Sequence, residues 1–238
     1  MCSGFQWTVD GFDIRIRALE RDDIPEVRGI ITKCLYKLLF TAFEAIIVKN
    51  WRIQIVLSGL SVFLLNYSGY DLQYIAVFVS FQMFLLTLPN AVSFYRFFAP
   101  GITKFKKEIV NADKTYVNFW VSEVFKDGQW EKVGTAALQD ADKRQKRGSQ
   151  TETIIFLRNV SVSPTWRCKK IGTMMLKHAL SHAISMKYNT IVLHITEEQP
   201  EAMSMYKKNG FEIVDKINAT CFSLLSGVHV YVMARKLP

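Results

Sequence analysis

The chain has 238 residues, of which half are hydrophobic and 13% are aromatic. This composition suits one folded domain with a sizeable insertion, and it excludes a wholly disordered or collagen-like chain. The formal net charge of +9 favours an anionic partner, which a nucleic acid, a membrane surface or a phosphorylated ligand would each provide.

The cysteines and the N-terminus indicate a reducing compartment. Cys2, Cys34, Cys168 and Cys221 are scattered along the chain and form no Cys-x-x-Cys pair. We therefore predict neither a zinc site nor a disulfide framework. The first twelve residues have no basic start and no apolar run, so they do not form a secretory signal.

The first predicted elements are a strand and a helix. Residues 12–18 alternate apolar and polar side chains, as a half-buried strand does. Asp22 or Asp23 can then cap a helix that carries Pro25 in its first turn. We expect this helix to run to residues 38–43.

The stretch 53–95 is the strongest irregularity, because Asp71 is its only charged residue. A turn cluster at residues 66–71 divides it into two apolar arms, and neither arm has the polar stripe of a surface helix. The second arm, 72–88, would be about 26 Å long as a helix at about 1.5 Å per residue. Since a bilayer core is about 30 Å thick, both arms are near the lower limit for spanning.

The charges that flank this stretch predict its topology. Basic residues precede the first arm and follow the second, and the connecting turn has none; they are Lys49, Arg52, Arg96, Lys104, Lys106 and Lys107. Positive charge at both outer ends places both ends in the cytosol. We predict a membrane-inserted helical hairpin, as two full spans or a re-entrant pair. The alternative is a hairpin buried in a soluble core.

The predicted organisation is a single α/β domain with an insertion. Residues 1–45 supply its first strand and helix, 46–105 form the membrane hairpin, and 106–238 form the remainder. Within the remainder, strands are predicted at 119–124, 133–138, 153–162, 190–195, 211–214 and 228–234, with helices from Ile171 and over 201–209. We expect the hairpin to lie in the endoplasmic reticulum membrane and the α/β domain to face the cytosol.

A basic loop followed by a helix is the first functional feature, in the sequence NVSVSPTWRCKKIGTMMLKHAL. The N-terminus of a helix presents unpaired backbone N–H groups and partial positive charge, which suit a phosphate or pyrophosphate. Arg167, Lys169 and Lys170 add full charges, and Gly172 allows close approach of a ligand. The alternative is an exposed basic helix start with no ligand.

Two motifs together resemble the GNAT superfamily of acyl-CoA-dependent N-acetyltransferases. They are VSVSPTWRCKKIG and the A-x-x-x-Y-x-x-x-G-F pattern from Ala202 to Phe211. The resemblance covers about residues 10–45 and 112–238. A hydrophobic hairpin inserted at this point is similar to the camello-type subfamily, which includes cysteine S-conjugate N-acetyltransferases and membrane-bound lysine acetyltransferases. The implied fold is a mixed, mostly antiparallel, splayed α/β sheet flanked by helices.

The resemblance also implies an acetyl-CoA site. Its cosubstrate-binding residues would be Val160, Val162, Arg167, Cys168, Lys169, Lys170, Ile171, Gly172, Thr173 and Gln199. The pyrophosphate would bind the loop amides, and the pantetheine arm would pair with the strand near Val160. Many family members have Asn at the position of Gln199.

Lys170 departs from the family pattern, because it replaces the first glycine of the signature. Cys168 also stands where glycine is common. A positive φ is unfavourable for lysine. Either the loop keeps a helical φ at Lys170, or cofactor affinity is reduced and the lysine charge compensates.

The implied reaction is attack of a neutral amine on the thioester. The Val160 N–H would stabilise the oxyanion, and Tyr206 would protonate the departing thiolate. His194 is the candidate base, because its ordinary pKa of about 6.5 suits the task. It could equally be a structural sheet histidine, with Glu123, Glu152 and Glu197 as alternative bases.

The remaining predictions concern partners. His178 and His182 have chelating spacing but no evident third ligand, so no metal is expected. No nucleic-acid motif is present. The expected partners are acetyl-CoA, membrane lipids and an amine acceptor, either a small molecule such as a cysteine S-conjugate or a protein lysine. The alternative function is a catalytically impaired acyl-CoA-binding or scaffold protein.

Overall fold

A mixed sheet carries the domain in the computed structural model, which describes residues 5–141, 153–218 and 229–238. The described strands are β1 Phe5–Val9, β2 Phe12–Ala18, β3 Asn118–Lys126, β4 Gln129–Asp140, β5 Ile154–Val162, β6 Thr190–Thr196, β7 Glu212–Asn218 and β8 His229–Lys236. The described helices are α1 Ile24–Tyr67, α2 Leu72–Glu108, α3 Ala112–Thr115, α4 Ile171–Ser185 and α5 Pro200–Lys208.

The strand order is β1-β2-β3-β4-β5-β6-β8-β7, and every described pairing is antiparallel except that of β5 with β6. This confirms the predicted mixed, mostly antiparallel α/β fold. The strand β1 was not predicted. It pairs with β2 through a turn in which Asp10 and Gly11 both have positive φ. The sequence also predicts a solvated loop over the basic run 140–150, of which residues 142–150 lie outside the described residues.

The sheet splays between its two parallel strands. Pairing of β5 with β6 runs only from Ile154↔Thr190 to Phe156↔Val192, although β5 continues to Val162 and β6 to Thr196. On its other edge β5 stays paired with β4 through a bulge at Asn159, whose φ is 52°. The ends of β5 and β6 that do not pair with each other therefore form a gap, which opens toward α4.

Each face of the sheet has its own core. On one face α4 and α5 bury apolar side chains against β5 and β6, among them Leu176, Ile191 and Leu193. On the other face the start of α1 and the end of α2 form a smaller cluster, with Val27 and Ile109 packed near Ala137. The gap thus lies between two helical layers.

The helix α1 begins where predicted but is held differently. Asp23 immediately precedes it and Pro25 lies in its first turn. The Asp23 carboxylate does not cap α1; it accepts hydrogen bonds from Arg17 at 2.6 Å and from the Glu20 backbone N–H at 2.9 Å. The predicted capping role is therefore wrong, because a nearby guanidinium takes the carboxylate.

The same helix is much longer than predicted. It runs without a break for 44 residues and ends at the turn where Gly69 has a φ of 80°. The predicted end at residues 38–43 is therefore wrong, since no proline interrupts the helix before that turn. Residue 45, the predicted domain boundary, lies inside this continuous helix.

The apolar arms of the hairpin are exposed. Phe63, Leu72 and Val77 expose 66%, 79% and 70% of their surface, so the hairpin is not the buried core element of the alternative interpretation. Within the described residues, one helical stretch, Leu72–Thr115, is long and apolar enough to cross a membrane; the apolar part of α1, Gln54–Tyr67, is shorter. The arms contact each other through a hydrogen bond from Ser61 Oγ to Gln82 Oε1 at 2.7 Å.

Candidate active site

The loop between β5 and α4 has the backbone of a glycine-rich loop without the glycines. Cys168 and Lys170 have φ values of 62° and 60°, in the left-handed region that L-residues avoid at a cost of about 1–2 kcal/mol. Of the two alternatives for Lys170, the helical φ is therefore wrong. Trp166 anchors the start of this loop, since its buried ring meets Phe12 edge-on at 5.2 Å.

The first amides of α4 face out of the helix. The first backbone hydrogen bond within the helix runs from the Met174 N–H to the Lys170 carbonyl, at 3.0 Å. The N–H groups of Ile171, Gly172 and Thr173 therefore have no partner one turn earlier in the helix. Together with the positive end of the helix dipole they can hold an anion.

The basic side chains of the loop are engaged unequally. Arg167 donates from Nε to the Val162 carbonyl at 3.2 Å, and its Nη2 lies 3.5 Å from Cys34 Sγ on α1. Lys169 forms an ion pair with Asp10 in the β1–β2 turn. Lys170 is exposed. Because Asp10 offsets the charge of Lys169, Arg167 and Lys170 are the cations with more charge available for a phosphate.

The loop, the strand and α5 meet at Gly172. A Cβ at this glycine would lie 3.6 Å from Met205 Sδ and 3.7 Å from Val162 Cγ2. Val160 and Val162 themselves pack against the core on the α4 face. The strand that was predicted to pair with pantetheine and the loop that was predicted to bind pyrophosphate are therefore adjacent.

A cavity lies beside this loop, between α4 and α5. Its volume is about 380 Å³, and its lining residues are Thr173, Lys177, Glu201, Ser204, Met205, Lys208 and Asn209. Two lysines give it a basic rim. A polar, anionic group that continues from the loop would find space and positive charge there.

Tyr206 lies on α5, in the core on the α4 face of the sheet. Its side chain is buried, and its ring centroid is 5.6 Å from that of Phe211. Burial raises the pKa of its hydroxyl, so the group holds its proton at neutral pH. Gln199 lies at the start of the same helix, and its Oε1 accepts a hydrogen bond from Thr196 at 3.4 Å.

His194 faces the opposite side of the sheet from Tyr206. Its neighbours Leu193 and Ile195 belong to the core that contains Tyr206, so alternation along β6 directs His194 to the α1 face. Burial, and next the charge of Arg158, lower the pKa of His194. The imidazole is therefore neutral at pH 7 and can accept a proton.

The alternative bases are occupied by other contacts. Glu123 is 2% exposed and accepts hydrogen bonds from Arg15 at 2.7 Å and Arg17 at 2.6 Å. Burial alone would raise the pKa of Glu123, but these two arginines outweigh it and lower the pKa. Glu197 contacts His229 Nδ1 at 3.2 Å. Glu152 lies outside the described residues.

Three polar residues on the α1 face were not predicted. Arg158 lies on β5 beside Phe156, with its guanidinium carbon 5.2 Å from the ring centroid. Asn159 donates from Nδ2 to the Tyr116 hydroxyl at 2.8 Å. The sequence contains one signal for them, because a charged arginine is unusual inside an apolar strand such as IIFLRNVSV.

The two predicted non-ligand histidines lie apart from this site. His178 and His182 are on α4, with ring centroids 4.6 Å apart, and both rings contact Trp120 on β3. Among the residues that the structure describes, no three His, Cys, Asp or Glu side chains come together as metal ligands.

Comparison with solved structures returns matches at low sequence identity. Arabidopsis thaliana NAA60 in complex with acetyl-CoA is 17% identical, with a TM-score of 0.46 over 56% of this chain and 82% of that chain. Streptococcus mutans smu.2055 is 21% identical, with a TM-score of 0.44 over 56% and 78% of the two chains. A GNAT-family acetyltransferase from Streptococcus pneumoniae is 18% identical, with a TM-score of 0.41 over 54% and 72%.

Family membership comes from the sequence itself. No match was found among curated proteins. The family model described as the acetyltransferase (GNAT) family matches residues 86–211, just over half of the chain, and this range contains the splayed strands, the loop and Tyr206. The chain therefore belongs to the GNAT family of acetyltransferases.

Proposed function

We propose that this acetyltransferase is a membrane-anchored, camello-type N-acetyltransferase. It moves the acetyl group of acetyl-CoA to an amine, either a small molecule resembling a cysteine S-conjugate or a protein lysine. Its catalytic domain faces the cytosol at the endoplasmic reticulum membrane. The observation that carries the catalytic part is the gap between β5 and β6, which has a helix N-terminus at its mouth and a candidate base and acid on its two sides.

The cosubstrate is proposed to enter from the α4 face. Its pyrophosphate binds the amides of 171–173 and the charges of Arg167 and Lys170, while its phosphorylated adenosine lies in the cavity beside Lys177 and Lys208. The pantetheine arm then pairs with the free edge of β5 near Val160. This course puts the thioester in the gap, close to the bulge at Asn159.

The reaction is a direct transfer. The neutral amine nitrogen attacks the thioester carbon, a C–N bond forms, and the C–S bond breaks. His194 takes the proton that the nitrogen loses, and Tyr206 gives a proton to the sulfur that leaves. The Val160 N–H stabilises the negative charge on the carbonyl oxygen. The products are an N-acetyl amide and coenzyme A.

The exposed hairpin supports the membrane anchor. Large apolar side chains cover both arms, and a monomer in water rarely leaves so continuous an apolar surface uncovered. Lys104 and Lys107, with Arg96, line a groove where α2 leaves the apolar segment. Such cations fit the anionic headgroups of a cytosolic leaflet.

The scaffold alternative has less support. It rests on the altered loop, in which Cys168 and Lys170 stand where the family commonly has glycine. Lys170 has a φ of 60°, the backbone conformation that glycine adopts readily at such a position, and its charge offers a phosphate a compensating contact. We therefore favour the active enzyme.

The test is an acetyl-transfer assay on the full-length chain in detergent, with acetyl-CoA and several classes of amine. Tyr206→Phe is expected to lower kcat by about 100-fold, while calorimetry shows an unchanged Kd for acetyl-CoA. Tyr67→Phe is the matched control, because Tyr67 is 86% exposed at the hairpin turn. Transfer to no amine, together with normal acetyl-CoA binding, would support the scaffold function instead.

The anchor is tested separately. Alkaline carbonate should leave the chain in the membrane pellet, and protease added to sealed microsomes should remove tags from both the N-terminus and the C-terminus. Release into the supernatant would contradict insertion. Protection of either tag would contradict the proposed orientation.

A further inference from the structure

We propose that Arg158 binds a carboxylate of the acceptor, so that the enzyme selects small amines with a carboxylate on the carbon next to the reacting nitrogen. This inference rests on the proposed function and names the substrate class of the same site.

The position of Arg158 on the sheet is the first support. It lies two residues beyond Phe156, the last residue of β5 that pairs with β6, and so it stands at the point where the gap begins. Its guanidinium packs on the Phe156 ring, and that ring lies 6.0 Å from the ring of His194. The arginine and the proposed base therefore flank the same part of the α1 face.

The second support is that Arg158 lacks an anion. Its Nε is buried and makes no hydrogen bond, and within residues 5–141, 153–218 and 229–238 no carboxylate forms an ion pair with it. Arg15 and Arg17 on β2, by contrast, are both paired with Glu123. A buried donor that is left without a partner is costly. A ligand atom cannot reach the buried Nε, but the two Nη atoms are not among these buried atoms, and a ligand carboxylate that hydrogen-bonds to them would supply the missing counter-charge.

The chemistry of the pair identifies the ligand. A guanidinium matches a carboxylate with two parallel hydrogen bonds, which fix orientation as well as position. With the carboxylate on Arg158, an amine on the adjacent carbon can reach the side of the gap where His194 lies. A lysine side chain in a protein carries no carboxylate near its amine and would leave Arg158 unpaired.

Binding would also be coupled to the base. The charge of Arg158 contributes to the lowered pKa of His194. A bound carboxylate offsets that charge, so His194 becomes a stronger base in the complex than in the free enzyme. The acidic limb of kcat should therefore lie at higher pH than the acidic limb of kcat/KM for a carboxylate acceptor, and the two limbs should coincide for a neutral one.

The experiment compares an S-alkyl cysteine with its carboxamide, on the full-length chain with saturating acetyl-CoA. Rates are expressed per concentration of free amine, because the amide changes the pKa of the amine. The wild-type chain should favour the carboxylate in kcat/KM by about 10- to 100-fold, the range of a hydrogen-bonded charge. Arg158→Gln should remove this preference by slowing only the carboxylate acceptor, and Arg158→Lys should keep part of it.

Arg21→Gln is the matched control, since the Arg21 side chain is 91% exposed; it should behave as the wild type. Equal use of both acceptors by the wild-type chain would overturn the inference and leave the proposed function intact, as would better use of a lysyl peptide. Equal loss of both acceptors in Arg158→Gln would assign the arginine a structural role. If that variant does not fold, the wild-type comparison and the two pH profiles still decide. Transfer to no amine at all would overturn the proposed function, and this inference with it.

Discussion

Replacing Lys170 by glycine separates the conformational and electrostatic roles of this residue. The left-handed backbone at Lys170 costs an L-residue about 1–2 kcal/mol, whereas the extra freedom of glycine in the unfolded chain costs about 0.5–1 kcal/mol. The net stabilisation expected for Lys170→Gly is therefore about 0.5–1 kcal/mol. For a chain of this size that raises Tm by about 1–4 °C.

The assay is thermal unfolding of the full-length chain in detergent, followed by tryptophan fluorescence. Lys187→Gly is a positive control, because Lys187 has a φ of 61° in the turn after α4; it should also raise Tm. Lys177→Gly is the opposite control, because Lys177 lies within α4 and glycine costs about 1 kcal/mol in a helix. If Lys170→Gly lowers Tm together with Lys177→Gly, the reasoning about the loop backbone is refuted.

The same variant should bind acetyl-CoA less tightly. It keeps the loop conformation but removes an exposed positive charge, and such charges contribute up to about 1 kcal/mol. We expect the Kd measured by calorimetry to rise by about two- to fivefold at low salt, with the difference shrinking as salt is added. Tighter binding at low salt would show that the lysine charge does not compensate for the missing glycine.

Three further predictions concern stability. Burial alone would raise the pKa of Asp23, but its hydrogen bonds lower the pKa to about 2. The lowered pKa contributes about 2 kcal/mol to the free energy of unfolding above pH 4, and this contribution is lost as the pH falls toward 2. Asp23→Asn should therefore flatten the dependence of urea unfolding on pH in that range. Burial, and next the charge of His182, lower the pKa of His178 to about 4. The free energy of unfolding should therefore fall as the pH drops from 6.5 to 4, and it should fall less steeply in His178→Gln. Equal slopes against pH in the two proteins would contradict this prediction. Ser61→Ala should destabilise the hairpin in detergent by about 0.6 kcal/mol, unlike Ser80→Ala, whose hydroxyl bonds only its own helix.

The local sequence predicts most of this fold because its strands and helices show clear hydrophobic periodicity and are bounded by turn-forming residues. Alternation marked the strand at 12–18. The dipeptide Asp127–Gly128 is typical of a hairpin turn, and both residues have positive φ. Gly210, with a φ of 79°, follows the end of α5, where glycine is the commonest residue because it adopts a positive φ freely. The strand β1 was missed because five residues before a turn show little pattern until a partner strand is known.

Long-range contacts explain what the sequence could not predict in the site. The lysine at position 170 is a poor residue for a positive φ, yet the loop adopts one between two well-packed elements. Glu123 looked like a candidate base, but its burial beneath Arg15 and Arg17 depends on the pairing of β2 with β3. Arg158 is visible in the sequence as a charge in an apolar strand, although only the fold shows that it lies near His194.

The uninterrupted course of α1 joins the apolar hairpin to the acetyltransferase domain through one continuous helix. The N-terminal part of this helix contacts the loop between β5 and α4, where Cys34 Sγ lies 3.5 Å from Arg167 Nη2 and 3.6 Å from the Val162 carbonyl. The C-terminal part forms the first apolar arm and ends at Tyr67. A truncation that simply removes residues 46–105 would interrupt α1 within its length. The remaining N-terminal part of the helix, which contacts the loop, would then lose the rest of the helix that continues it. A water-soluble version is therefore better made by replacing the apolar surface residues of the arms and leaving the backbone whole.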